Sequence, residues 1–195
     1  MKSLVNRIRG RRKPGDEQWN RQYTDGAWNF LEGLDEVVRY WVAVGYCASR
    51  FQRPSVLDVG CGTGLLEEKL RCLPYSSYFG IDISETALKQ ARSRVPETCP
   101  LVCADARNFV VAETFDIIIF MEALIPGMPV VDILKHYCPM LRPQGRLLVS
   151  IFDGRNRKAT VPEWKQIQGQ FRVEDITRLE NVPSSKSWTI ALLAP

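Results

Sequence analysis

From Ser55 onward, short apolar runs alternate with segments of helical spacing, and that alternation constrains the fold more than any other feature of the chain. The runs are Val56–Val59, Tyr78–Asp82, Leu101–Ala104, Phe115–Phe120 and Arg146–Phe152. They are nearly unbroken in apolar character, as parallel strands become when helices cover both sheet faces. Between them, Gly64–Arg71, Glu85–Arg94 and Val131–Leu141 have the spacing of helices, and Pro162–Gln168 that of a shorter one. Pro143 and Gly145 mark a turn before the fifth run. The closing stretch FRVEDITRLENVPSSKSWTIALLA holds two strand-like segments around a Pro-Ser-Ser turn, an antiparallel hairpin at a sheet edge. The pattern predicts a doubly wound α/β sheet that takes ligands at the carboxyl ends of its strands. At 195 residues the chain is long enough to bury one sizeable core.

The N-terminal quarter is organised differently. The first 25 residues carry seven basic and three acidic side chains, which is the whole net charge of +4 and leaves the remainder neutral. Residues 1–18 read as a basic, flexible tail, and 19–195 as a single domain whose residues 19–50 form a lid and first helix. Phe30, Leu34, Val37, Val38, Trp41, Val42 and Tyr46 recur at helical spacing and predict an amphipathic helix over Asn29–Ser49. Trp19, Tyr23 and Trp28 precede it in a polar segment punctuated by Asp25 and Gly26. They either pack onto the domain or cover a ligand.

Composition excludes several function classes. No apolar stretch approaches bilayer-spanning length, and the basic N-terminus is not followed by the apolar core of a secretory signal. A cytoplasmic location is expected. The six cysteines show no metal-ligand rhythm and a single histidine completes no set, so no metal site is expected and the thiols read as reduced core filler. The neutral body argues against nucleic acid as partner, because enzymes of nucleic acids spread positive charge over the folded surface. Nothing in the pattern sets the oligomeric state.

The chemistry begins at SVLDVGCGTGLLE, residues 55–67. Gly60, Gly62 and Gly64 allow close approach to the backbone, but the dinucleotide fingerprint G-x-G-x-x-G would need glycine where Leu65 stands. No lysine follows to clamp a nucleotide phosphate. Asp58, two residues before the first glycine, would oppose a pyrophosphate and suits a ligand with a cationic end. Asp82 closes the second run, where a carboxylate accepts from both hydroxyls of a ribose. Asp105 follows the third and can accept from an exocyclic amine of adenine. Met121 and Glu122 leave the fourth run where the strand order reverses.

In this ordered set the sequence resembles the class I S-adenosylmethionine-dependent methyltransferases. VLDVGCGTG is similar to the family's first motif, GIDIS to its acidic second strand, CADARNF to its adenine-side motif, and FDIIIF and LRPQGRLLVSIF to its fourth and fifth strands. The resemblance implies a Rossmann-like seven-stranded sheet in the order 3-2-1-4-5-7-6, with an N-terminal helical lid. It implies S-adenosylmethionine as cofactor, with Gly60, Cys61 and Gly62 along the methionyl part, Asp58 toward its ammonium, Asp82 at the ribose, Asp105 and Ala106 at adenine, and Ile83 on the cofactor side. Tyr23 and Met121 join the cofactor side, and Trp19 and Trp28 the lid. The pattern W-N-x-x-Y-x-x-G-x-W and the Glu-Ala-Leu after the fourth run look most like small-molecule methyltransferases, the nodulation N-methyltransferases of amino-sugar oligomers among them. Met121 and Ile125-Pro126 depart from that subgroup and point to a more apolar acceptor pocket.

A methyl acceptor must lose a proton, so Glu122 is the candidate catalytic carboxylate, with a purely structural or cofactor-side role as the competing reading. His136 falls outside the apolar face Val131, Leu134, Cys138, Leu141 of its helix and is directed away from the strand ends. The expected reaction is methyl transfer to a small-molecule acceptor, an amine or hydroxyl of a sugar or natural product. Two alternatives stand beside it: an RNA or protein methyltransferase that uses the basic tail, and a non-catalytic cofactor-binding subunit of a larger assembly.

Overall fold

The computed structural model describes residues 14–125, 127–155 and 162–195. Most of the basic tail, residues 1–13, lies outside the described residues. Helix α1 begins at Pro14 and runs to Thr24, so residues 14–18, expected as flexible tail, already belong to a helix. Proline at the helix start costs no hydrogen bond, because the first-turn N–H groups have no intrahelical acceptor.

Seven strands form one sheet in the order β3-β2-β1-β4-β5-β7-β6, as expected. They are β1 (Ser55–Val59), β2 (Ser77–Asp82), β3 (Leu101–Cys103), β4 (Phe115–Met121), β5 (Leu141–Arg155), β6 (Arg172–Asn181) and β7 (Lys186–Ala194). The first five run parallel, and β7 pairs antiparallel with both β5 and β6. Every residue of β1 is buried, which explains the unbroken apolar run and makes Asp58 within it conspicuous. Helices α2 (Leu34–Arg50), α3 (Leu65–Leu70) and α4 (Glu85–Ala91) cover one face, with Tyr40, Ala43, Leu66, Leu70 and Ala91 in that half of the core. Helices α5 (Val130–Tyr137) and α6 (Pro162–Gln168) cover the other through Ile133, Leu134, Trp164 and Ile167.

Two expectations need correction. The turn expected at Pro143–Gly145 lies inside β5: Leu141 pairs with Phe115 and Arg146 with Ile117, so the residues between loop out of the ladder without ending the strand. Proline cannot donate to the ladder, and an outward loop is where a strand tolerates it. The helix expected over Asn29–Ser49 forms, as a 3-10 turn at Asn29–Glu32 followed by α2, but its buried face is not the apolar stripe read from the sequence. Phe30, Leu34, Val38 and Trp41 are exposed, Leu34 at 86%. Of the stripe, Tyr46 is buried as expected; the rest of the buried face is Glu36, Arg39, Tyr40, Ala43, Val44 and Cys47. Small residues let α2 approach the sheet closely, and Glu36 and Arg39 go in as an ion pair with Nε–Oε2 3.3 Å, Glu36 also accepting from Lys186 at 2.7 Å.

Candidate functional site

The order reversal between β1 and β4 opens a crevice at their carboxyl ends, and both site-forming loops start there. After β1 the chain turns through Gly60, Gly62 and Gly64, all at positive φ. The reason for glycine is steric at Gly60, where a Cβ would stand 2.6 Å from the Cβ of Ala123. The loop is tied to β2: the N–H groups of Gly60 and Cys61 donate to the Ile81 carbonyl at 2.8 and 2.9 Å. The Gly62 N–H donates to Asp82 Oδ2 at 2.9 Å and the Ser84 N–H to Oδ1 at 2.8 Å. Asp82 therefore braces the glycine loop and still presents unused lone pairs to the crevice.

Helix α1 lies over this loop because Asn20 Oδ1 accepts from the Ser84 hydroxyl at 2.8 Å and the Thr86 N–H at 3.1 Å, at the start of α4. Trp19 stacks on Trp28 with centroids 5.6 Å apart, and Tyr23 leans on the same indole at 6.2 Å. The result is a cavity of about 320 Å³. All thirteen residues singled out in the sequence (Trp19, Tyr23, Trp28, Asp58, Gly60, Cys61, Gly62, Asp82, Ile83, Asp105, Ala106, Met121 and Glu122) line it. Arg39, Tyr40 and Leu31, which sequence reasoning passed over, line it as well.

Electrostatics divide the cavity. Asp58 is wholly buried; its Oδ2 accepts from the Tyr78 hydroxyl at 2.6 Å, while Oδ1 has no hydrogen-bond partner. Loss of water pushes its carboxyl up to about 7, with the Tyr78 hydrogen bond opposing and the Asp82 charge adding to the rise. Burial also raises Asp82, against the backbone N–H groups that stabilise its charge. The Cys61 thiol is driven well up by burial and by these two carboxylates, which keeps it protonated and excludes it as a nucleophile. Across the cavity Arg39 is 2% exposed. One guanidinium N–H donates to the Tyr40 hydroxyl at 3.2 Å, and Nε stands in the ion pair with Glu36. Burial pushes the Tyr40 phenol up to about 12, with the Arg39 charge opposing and that of Asp58 adding to the rise.

Glu122 sits at the end of β4 with φ of 58°, a left-handed backbone rare for a side chain of this kind. Its N–H donates to the Ser150 carbonyl at 3.2 Å, and its carboxylate accepts from the Ser150 hydroxyl and a backbone N–H of Phe152. Both partners are on β5, so the carboxylate leans away from β1 and β2. Burial raises its pKa, with the Arg39 charge as the main opposing influence. At the β3 end, Asp105 forms a two-pronged pair with Arg107, NH2–Oδ2 at 2.7 Å, and the Ala106 carbonyl accepts from the Tyr137 hydroxyl at 2.9 Å. His136 lies outside the cavity, its Nε2 2.7 Å from the Phe109 carbonyl oxygen, in line with its expected outward placement. Among the described residues no cluster of three potential metal ligands exists, and no helix is long and apolar enough to cross a membrane.

The strand order, the glycine turn and the carboxylates at the ends of β1, β2 and β3 form the Rossmann-like sheet seen in methyltransferases. Residues 56–145 match the family described as methyltransferase domain. Over 103 residues the chain is 35% identical to trans-aconitate 2-methyltransferase of Escherichia coli (strain K12 / DH10B), a match covering 50% of this chain and 39% of that protein. The chain thus spans about two-fifths of the length of that curated relative. Among solved structures, N-methyltransferase NodS from Bradyrhizobium japonicum WM9 in complex with S-adenosyl-L-homocysteine superposes with a TM-score of 0.75 at 19% identity, over 93% of this chain and 98% of that one. The 1,6-didemethyltoxoflavin-N1-methyltransferase of Burkholderia thailandensis gives 0.73 at 17% identity, over 91% and 85%. These likenesses establish the fold.

Proposed function

We propose that the protein transfers a methyl group from S-adenosylmethionine to a small-molecule amine or hydroxyl. One observation carries the reading: a buried acceptor without a partner, Asp58 Oδ1, lies in a cavity that the buried guanidinium of Arg39 also lines. A buried polar atom left unpaired costs on the order of 1–3 kcal/mol, so Asp58 marks a seat for a cationic group, and the Arg39 guanidinium in the same cavity suits an anionic one on the same ligand. An α-amino acid head group has that form. Asp58 takes the ammonium, and Arg39, with its planar fork of donors, the carboxylate. The ribose hydroxyls fall to Asp82, and the adenine to Ile83, Asp105 and Ala106. Four carboxylates and two guanidinium groups line the cavity, a negative balance that suits a cationic ligand.

When bound, S-adenosylmethionine supplies a methyl group on a sulfonium, which passes to the acceptor lone pair and leaves a neutral thioether. The protein's part is to hold the partners in line, exclude water and receive a proton. Tyr23, Trp19 and Trp28 form the cover, whose ring faces favour a cation. Glu122, turned toward β5 and braced by Ser150, faces the acceptor side and takes the proton that the nucleophile gives up. Its raised pKa places it nearer neutrality, where a carboxylate serves as a general base. Leu31, Ile125 and Met128 give the acceptor side an apolar wall. The small-molecule reading is supported by the printed names of the relatives, which specify trans-aconitate and didemethyltoxoflavin.

The test is transfer of radiolabelled methyl into panels of amines, amino sugars, organic acids and RNA, with calorimetry of S-adenosylhomocysteine. Labelling of a small molecule that Glu122→Gln abolishes supports the reading. Labelling of RNA alone, or the absence of cofactor binding, overturns it.

A further inference from the structure

Behind Arg39 stands a group that does not itself line the cavity. The Arg39 guanidinium lies over the Tyr40 ring, with Cζ 4.6 Å from its centre. Its Nε is 3.3 Å from Glu36 Oε2, one turn earlier on α2, and one terminal nitrogen donates to the Tyr40 hydroxyl. The other terminal nitrogen is the one left for a ligand. Taken alone, the Glu36 carboxylate would cancel the guanidinium charge and leave little of it for a ligand anion. Glu36 Oε1 also accepts from Lys186 Nζ at 2.7 Å, so one carboxylate is shared between two cations and a surplus of positive charge remains. Glu36 is 4% exposed and the Lys186 side chain 20%, so solvent screens little of that surplus.

Both ends of this arrangement are held in place. Glu36 stands in the first turn of α2, where the helix dipole favours an anion. Asn181 donates to the neighbouring Asp35 at 3.0 Å and ties the same turn to the β6–β7 hairpin. Lys186 opens β7, and its ammonium lies 5.2 Å from the centre of the Phe30 ring, in the 3-10 turn that leads into α2. The charge of Glu36 is felt inside the cavity, where it adds to the rise of the Tyr40 phenol and the Glu122 carboxyl while Arg39 opposes both. We propose that Lys186 is a positioning residue for the cofactor: by engaging one oxygen of Glu36, it leaves the other to anchor Arg39 at Nε and keeps the guanidinium charge for the α-carboxylate of S-adenosylmethionine. This role rests on the reading that Arg39 holds that carboxylate. Lys186 is not among the residues that line the cavity, so its effect is confined to ligands that carry the carboxylate.

The test is calorimetry of the full chain with two ligands, S-adenosylhomocysteine and its decarboxylated analogue, which keeps the ammonium and the adenosine. Circular dichroism melts accompany every variant. The wild type is expected to prefer S-adenosylhomocysteine by on the order of 100-fold. Lys186→Met, which keeps an apolar contact with Phe30, lowers the affinity for S-adenosylhomocysteine by about 10-fold and leaves that for the analogue within about 2-fold. Lys186→Arg keeps the wild-type preference. In the double variant Lys186→Met, Glu36→Gln the preference returns, because the charge that Lys186 offset is gone while an amide oxygen still faces Arg39. A Lys186→Met variant that weakens both ligands alike, or neither, overturns the proposal, as does a double variant that recovers nothing. A wild type that binds the two ligands equally overturns the carboxylate seat of Arg39 itself, and the role of Lys186 with it.

Discussion

Replacing Asp58 by Asn should make the free protein more stable and the cofactor complex weaker, with both effects tracking one titration. In the folded protein the carboxyl is pushed from the free-aspartate value of 3.8 to about 7. The folded state therefore holds a proton that the unfolded chain has already released between those values. Stability from this group is greatest at acid pH, declines as pH rises toward about 7 and stays at its minimum above. Roughly three pH units at about 1.4 kcal/mol each set the cost at ~4 kcal/mol at pH 8. In Asp58→Asn the amide oxygen keeps the Tyr78 hydrogen bond and no charge is buried, so the melting temperature of the variant should exceed that of the wild type at pH 8. The gap should close toward pH 4. Cofactor binding runs the other way, because an ammonium requires the ionised carboxylate. At pH 6, calorimetry in buffers of different ionisation enthalpy should show wild-type binding of S-adenosylhomocysteine releasing close to one proton. At pH 8 the release should vanish. The variant should release none and bind on the order of 100-fold more weakly. Parallel melting curves across pH 5–8, or the same proton release from the variant, would refute the assignment of both the titration and the ammonium seat.

Four further outcomes follow from the same geometry. Glu122→Gln should lower kcat by about 100-fold or more while leaving the dissociation constant of S-adenosylhomocysteine within a few-fold, since its carboxylate leans toward β5; Ser150→Ala should raise the pH at which activity appears. Gly60→Ala puts a methyl group 2.6 Å from Ala123 Cβ at a φ of +76°, so urea unfolding should show a loss of about 1–3 kcal/mol and the Glu122 loop should shift. Asp116 accepts from the Ser55 N–H at 2.8 Å, its hydroxyl at 2.9 Å and Arg142 at 2.7 Å. Its pKa is lowered, with burial opposing and the Ser55 and Arg142 contacts prevailing. It stabilises the fold above the ordinary aspartate value and loses that contribution as pH falls through its own lowered pKa. Asp116→Asn should thus be less stable by ~1–2 kcal/mol at pH 7, with melts converging at the acid end.

The strands were legible because a buried parallel strand has no solvent side and shows as a run such as FDIIIF. The glycine loop was legible because positive φ and close approach leave glycine as the economical residue. Asp58 was legible because a carboxylate inside such a run has no structural excuse. The buried face of α2 was not. Residue spacing identifies an apolar stripe but does not state which side meets the sheet, and here Ala43, Val44 and Cys47 pack inward while Leu34 and Trp41 face out. Arg39 was missed for the same reason: it looks like an ordinary surface charge until Glu36 and Lys186, 150 residues apart in sequence, are seen to neutralise its surroundings. An exposed apolar stripe with two charges on the other face was the available signal.

By itself the sequence determined the element order, the cofactor-type loop and the carboxylates at successive strand ends, because local sterics and burial of whole strands leave their mark residue by residue. Only the tertiary structure decided what those groups do to one another. The left-handed turn that aims Glu122 at β5, the empty valence of Asp58 in one cavity with the Arg39 guanidinium, and the outward face of α2 all arise from packing between distant segments. Hydrogen-bond completion and charge compensation are properties of that packing, and linear order does not encode them locally.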